Sequence, residues 1–301
     1  MSDRKARGRM AGECAGRVAL VTGASQGGIG TAIAQRLAAE GARVAVAART
    51  REGLEEALAA IEAAGSSGAV FTVDLADPEG GRETLVARVE DALGPVDVLV
   101  NNAAAGGYKP FEEWTLDALR RMQEVNVWAP WLLAQHVLPG MRARGRGAIL
   151  NISSASAELP AGPPFGTSAP ARRGSAYGGT KAMLNRWTVS LAVETHGQGI
   201  AVNALSPQAA ARTRALATSS WFPEVYMEPL DTMAEAALAL CTGDPSTLTG
   251  RIAYSLELLA ELGRPVRDVT GTALLDGWQP ADLPGRIAAQ RAERARADTA
   301  E

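Results

Sequence analysis

Cysteine and histidine are nearly missing from this 301-residue chain: Cys14, Cys241, His136 and His196 are all it has of the two. So few cannot build a disulfide framework, and their spacing matches no metal site. A reducing, cytoplasmic setting without a bound metal is the expectation. Lysine is as sparse, with Lys5, Lys109 and Lys181 only, and the net charge is −3. Basic residues are interleaved with acidic ones, so the charged stripe of a nucleic-acid binder is missing. No window nears the roughly 18 apolar residues of a membrane span, and the opening MSDRKARGRMAGECAG has no apolar leader core. These exclusions leave a small molecule as the expected partner.

What is present is apolar content of 47%, enough in a chain of this size to bury a full core. From Arg17 onward, RVALVTG, TAIAQRLAAEGA, RVAVAAR, EGLEEALAAIEAAG and AVFTVDL alternate strand-like and helix-like patterns. That alternation predicts an α/β fold with a parallel sheet. TLVARVEDALG, VDVLVNN, LDALRRMQEVNVWAPWLLAQHVLPGM and GAILNISS continue it. A loop over 157–174, a helix from about Ser175 to His196, the strand IAVNALS and an irregular stretch over 207–230 come next. A helix near Met233 to Cys241 and GRIAYSLEL, read as a last strand, complete the sheet. The expected organisation is a mobile tail over 1–15, one domain over 16–283 and a charged, solvated tail over 284–301.

Between the first strand and first helix lies VTGASQGGIG, with the spacing Gly23-x-x-x-x-Gly28-x-Gly30. Backbone N–H groups and the positive end of a helix favour a phosphate at such a turn. A tight turn that needs glycine for geometry alone fits the same residues. The second strand ends in Arg49, Thr50 and Arg51, with no carboxylate to repel a ribose 2′-phosphate. The expected cofactor is therefore NADP, with NAD second.

In SAYGGTKAM, Tyr177 and Lys181 stand four apart on a helical pattern and so share a face. Together with Thr22 to Gly30, Asp74 in TVDL, NNAA from Asn101, Asn126 in EVNVW, NISSAS and LSP ending at Pro207, this pair carries a resemblance to the short-chain dehydrogenase/reductase family. The resemblance extends from about Gly16 to Asp276 and implies a single Rossmann-type domain with a doubly wound parallel sheet. It makes Tyr177 the acid/base, Lys181 its partner, Ser154 the carbonyl anchor and Asn126 the support of a proton-relay water. It also places Gly23, Ser25, Gly28, Ile29 and Gly30 at the cofactor pyrophosphate, with Arg49 at the 2′-phosphate. Asp74 and Leu75 would lie at the adenine, Asn102 and Ala103 beneath the ribose, and Pro207 beside the nicotinamide, with Tyr177 and Lys181 also on the cofactor. Chemically, a free tyrosine ionises near pH ~10, and a neighbouring ammonium favours the phenolate. Lys181 is therefore expected to draw Tyr177 toward working pH, and a serine hydroxyl supplies a donor where charge develops on the substrate oxygen.

Several positions depart from the family pattern. The glycine loop is one residue longer, Ala104 stands in NNAA where the family has glycine, and Gln208 follows Pro207 in place of another glycine. Ala104 and Gln208 are expected to tighten or distort the cofactor site. An insertion, AELPAGPPFGTSAPARRG, separates Ser154 from Tyr177 and reads as a loop or lid. Trp221, Phe222, Tyr226 and Met227, in the irregular stretch after Pro207, suggest an apolar substrate. Leu132 and Gln198 occupy places where carrier-protein reductases of the family show basic residues, whereas Arg120 and Arg121 keep that class open. The expected function is an NADP(H)-preferring oxidoreductase interconverting a secondary alcohol and a ketone on a hydrophobic small molecule. The alternatives are a β-ketoacyl thioester reductase and a non-catalytic, cofactor-binding regulatory protein. The resemblance further implies a homodimer or homotetramer, with WAPWLLAQHVL and the Tyr177 helix at the interface.

Overall fold

The computed structural model describes residues 12–25, 27–217 and 224–299. Parallel strands β1 (Val18–Thr22), β2 (Arg43–Ala48), β3 (Gly68–Thr72), β4 (Val98–Asn101), β5 (Gly147–Ile152) and β6 (Ile200–Ser206) form the sheet. The short pair β7 (Ala210–Ala211) and β8 (Met227–Glu228) stands apart, and β9 (Ile252–Tyr254) closes the main sheet. The strand order is β3-β2-β1-β4-β5-β6-β9. It reverses direction between β1 and β4, which opens a crevice at their carboxyl ends, the usual seat of a ligand in a doubly wound sheet.

Alternate side chains along each strand sort the core into two layers. Ala19, Val21, Val44, Val46 and Leu150 face α1 (Ile29–Ala39), α2 (Arg51–Ala63) and, later in the chain, α9 (Leu230–Thr242) and α10 (Ser255–Glu261). Val18, Leu20, Ala45, Leu99 and Ile149 face α3 (Leu85–Leu93), α5 (Ala129–Arg144) and α7 (Ser175–Thr195). Between α3 and α5 runs α4 (Leu116–Gln123), and two short helices, α6 (Ala169–Arg173) and α8 (Arg214–Ala217), sit in the long loops. α7 follows the expected bounds to within a residue, and α9 extends the expected helix at both ends.

The described parts of the two expected tails differ from expectation. Cys14 is fully buried in the first layer, and its N–H donates to the Glu40 carbonyl at 3.0 Å. Arg264 binds Glu13 at 2.6 Å and Glu235 at 2.6 Å, and Glu235 also holds the buried Arg36 at 2.9 Å. Residues 12–15 are thus built into the domain rather than trailing from it. At the other end, α11 (Leu283–Thr299) packs Leu283 and Ile287 into the core and buries Gln290. GRIAYSLEL gives only three strand residues before turning into α10.

Candidate active site

The glycine loop leaves β1 at Thr22 and enters α1 at Ile29, with Gly28 as its N-cap. A Cβ on Gly23 would lie 2.7 Å from the Ala103 Cα, and one on Gly30 would lie 2.4 Å from Asn102 Nδ2. Gly23 and Gly27 take positive φ, 66° and 62°. Both lie ahead of α1, whose first N–H groups have no side-chain cap. Ser25 lies in this turn, half-buried. Beneath it, Thr22 Oγ1 accepts from the N–H groups of Asn102 and Ala103 at 3.1 and 3.2 Å. Asn102 Nδ2 donates back to the Thr22 and Gly23 carbonyls at 2.9 and 3.1 Å. β1 and β4 are thereby locked edge to edge under the crevice.

On the adenosine side, Arg49 is exposed at the end of β2 and Leu75 is buried after β3. Asp74 accepts from the Ala76 N–H at 3.0 Å and from Arg121 of α4 at 3.3 Å. Burial works to raise its carboxyl, but these bonds and the charges of Arg121 and Arg49 outweigh it and hold the group below its usual range. Ala104 is exposed in the loop after β4. Gln208 is tied to α10, its N–H donating to Ser255 Oγ at 3.0 Å and its Nε2 to Glu257 at 3.0 Å. Pro207, just before it, is half-buried.

On the substrate side, α4 and α5 are joined by one wide π turn, Glu124–Trp128, that contains the fully buried Asn126. Such turns re-aim backbone groups and recur at functional sites. Asn126 Oδ1 accepts from the Ala105 N–H at 2.8 Å, and its Nδ2 donates to the Ala105 carbonyl at 2.8 Å and to Thr180 Oγ1 at 2.9 Å. Thr180 Oγ1 in turn donates to the Tyr177 carbonyl at 2.7 Å. The side chain of Asn126 therefore fastens the Ala105 loop to the helix that carries Tyr177 and Lys181.

Lys181 is buried, and its Nζ donates to the Ile152 carbonyl at 2.7 Å, at the end of β5. The same ammonium lies 5.8 Å from the centroid of the Tyr177 ring. Desolvation pulls Lys181 down to about 8. Tyr177 moves the other way from expectation: burial pushes its phenol up to about 12, Tyr108 adds to this, and a hydrogen bond with Ser154 opposes it. In this state desolvation outweighs any pull from Lys181. Ser154 Oγ accepts from the Ser156 N–H at 3.2 Å, which fixes the turn after β5. Ser153 points inward and is buried, so Ser154 is the serine at the tyrosine.

One contributor carries no pattern in the sequence, and two more lie inside motifs that do not show what they do. Tyr108 hydrogen-bonds Ser156 at 2.9 Å and meets Tyr177 edge-on, with centroids 6.0 Å apart. It comes from an irregular glycine-containing loop. Thr22 and Thr180 act through contacts between distant segments; position 180, inside YGGTK, was the nearest to legible. Trp221 and Phe222 lie outside the described residues. Of their expected companions, Met227 is buried in β8 and Tyr226 is half-buried. Among the described residues no helix is long and apolar enough to cross a membrane.

The family model for short chain dehydrogenases matches residues 17–221. A short chain dehydrogenase of Pseudocercospora fijiensis is 37% identical over 66% of this chain, and the match spans 61% of that relative. A blue fluorescent protein from a metagenomic library, solved in complex with NADPH, superposes with TM-score 0.71 at 29% identity over 87% of this chain and all of its own. L-Sorbose reductase from Gluconobacter frateurii, complexed with NADPH and L-sorbose, gives TM-score 0.69 at 28% identity over 80% of this chain and 95% of its own. With the sheet order, the glycine cradle and the Tyr177–Lys181 helix in place, the chain belongs to the short-chain dehydrogenase/reductase family of oxidoreductases.

Proposed function

We propose that the chain interconverts a secondary alcohol and a ketone on a small molecule with NADP(H). The observation that carries this is the convergence of Ser154, Tyr177 and Lys181 at the carboxyl end of β5, beside the crevice. Gly23 and Gly30 let the loop pack against Asn102 and Ala103 where any side chain would collide, and the start of α1 beside them suits a dinucleotide phosphate. Arg49, with no carboxylate at the end of β2, favours the phosphorylated form, and the two similar structures above hold NADPH. The nicotinamide, when bound, supplies or accepts the hydride. The protein's part is to hold the substrate oxygen by Ser154, to pass a proton at the Tyr177 hydroxyl and to keep both registered through Asn126 and Thr180. Arg121 is occupied by Asp74 and Arg120 by Asp117, which leaves less basic surface for a carrier-bound thioester.

The test is Tyr177→Phe, assayed with NADPH and a panel of ketones. Loss of one acid/base group lowers turnover by about 10²–10⁴-fold, whereas NADPH titration, followed by tryptophan fluorescence, stays as in wild type and tighter than NADH. Full turnover in the variant would refute the mechanism. Tight NADPH binding by a wild-type protein that reduces no carbonyl would favour the regulatory alternative. The exposed faces of Trp128, at the N-cap of α5, and Trp131 on α5, 44% and 42% accessible, are proposed as the seat of a second copy.

A further inference from the structure

The segment that follows Pro207 returns to the glycine loop. Thr213 Cγ2 lies 4.0 Å from the point where Gly28 would carry a Cβ. The Arg214 guanidinium covers the same point of Gly27, with Nη2, Nε and Cζ at 3.3, 3.4 and 3.6 Å. The loop itself, Thr22 to Gly30, contains no lysine or arginine, so Arg214 brings to it a positive charge that its own sequence lacks.

The two ends of this segment are held very differently. Near Pro207 the anchor is Glu228, fully buried in β8. Its carboxyl accepts from Thr232 Oγ1 at 2.6 Å, from Ser255 Oγ at 2.7 Å and from the Ala209 N–H at 3.3 Å. Ser255 Oγ accepts in turn from the Gln208 N–H at 3.0 Å, and β7 pairs Ala210 and Ala211 with β8. At the far end Arg214 pairs with Glu56 of α2 at 3.3 Å, and both side chains are exposed, 67% and 60%. Arg212, two residues earlier, is engaged by Glu224 at 3.0 Å.

An ion pair this exposed contributes little to folding, so stability does not account for a guanidinium laid across a glycine. An anion does. The dinucleotide proposed above brings its pyrophosphate to the turn ahead of α1, and a guanidinium binds phosphate oxygens two at a time. Arg49, at the end of β2, is left to the 2′-phosphate. We propose that Arg214 is a cofactor-binding residue that leaves Glu56 when NADP(H) enters and holds the pyrophosphate against the glycine loop, with Glu56 as its counter-ion in the free protein. The proposal rests on the cofactor reading above.

Glu56 and the phosphate compete for one guanidinium, so removing either residue of the pair shifts affinity in opposite directions. Titration of the full chain with NADPH and with NADH, followed by tryptophan fluorescence, reads this without turnover. Arg214→Gln is expected to raise Kd about tenfold for both coenzymes, the loss of one charge-assisted contact. Glu56→Gln is expected to lower Kd by about two- to fivefold, as an exposed pair is released, and the double variant should bind like Arg214→Gln. An unchanged Kd in Arg214→Gln refutes the assignment. A loss confined to NADPH refutes it too, because the contact would then be to the 2′-phosphate. Tightening by Glu56→Gln that persists in the double variant would show Glu56 repelling the phosphate directly, and the exchange would fall. If wild type binds neither coenzyme, the cofactor reading fails and takes Arg214 with it. If wild type binds both but reduces no ketone, the alcohol/ketone reading alone fails, and the titrations still decide the role of Arg214.

Discussion

Lys181 is held where an ammonium is poorly tolerated, with the Ile152 carbonyl as its hydrogen-bond partner. Its folded value of about 8 lies below the ordinary 10.5, so the folded chain gives up this proton sooner than the unfolded chain does. Stability from this group is therefore lowest below pH ~8 and rises toward pH ~10.5. A shift of that size corresponds to about 3 kcal/mol at ~1.4 kcal/mol per unit, reduced by the lost hydrogen bond to Ile152. Lys181→Met should abolish turnover yet be more stable than wild type by about 1–3 kcal/mol at pH ~7. The gap should narrow from pH ~8 to ~10.5. Urea denaturation across that range checks it; a Met variant less stable at neutral pH would contradict the argument. The pair itself was legible because residues four apart on a helix must share a face. The raised tyrosine was not, because burial is set by segments such as the Tyr108 loop that are far away in sequence.

At the scale of elements, α7 sits close against the turn after β5, and two adjacent glycines show how close. A Cβ on Gly178 would fall 2.2 Å from the Ser156 carbonyl oxygen, whereas one on Gly179 would meet nothing within 4 Å. Gly178→Ala must push α7 away from the turn carrying Ser154, with a cost above about 2 kcal/mol and a fall in kcat of at least tenfold. Gly179→Ala, one residue on, should be neutral or stabilising by up to about 1 kcal/mol, since alanine favours a helix interior. Thermal unfolding and kinetics on the two variants separate close approach from helix propensity; equal effects would dismiss the contact. Most elements could be read from sequence because the buried parallel strands are short, mostly apolar runs alternating with longer helical patterns. α11 could not, because it buries only the narrow stripe Leu283, Ile287 and Gln290 in an otherwise charged helix. In the same way, GRIAYSLEL is apolar throughout, and composition alone does not mark where strand gives way to helix.

For the whole molecule, the end segments complete what the sheet begins. Glu13, Arg36, Glu40, Glu235 and Arg264 form one ion cluster that binds the first described residues to α1, α9 and the segment after α10. α11 supplies part of the core. The opposite side carries the exposed tryptophans at the start of α5, with Trp131 packed edge-on against Trp187 of α7 at 5.8 Å. A second copy seated there would give a dimer or tetramer by light scattering, and Trp128→Glu should shift that assembly to monomer with the fold intact. A wild-type protein that is monomeric at micromolar concentration would remove the proposed interface.

The two cysteines, finally, are both sealed in the same core layer. Burial pushes the Cys14 thiol up to about 12 and the Cys241 thiol higher still. Since alkylating and disulfide reagents react with exposed thiolate, the folded chain is chemically silent toward them. A single cysteine introduced on the outer face of α11 would then be its one reactive handle. A fluorophore attached there would report on the packing of that helix against the core without any other residue having to be removed first.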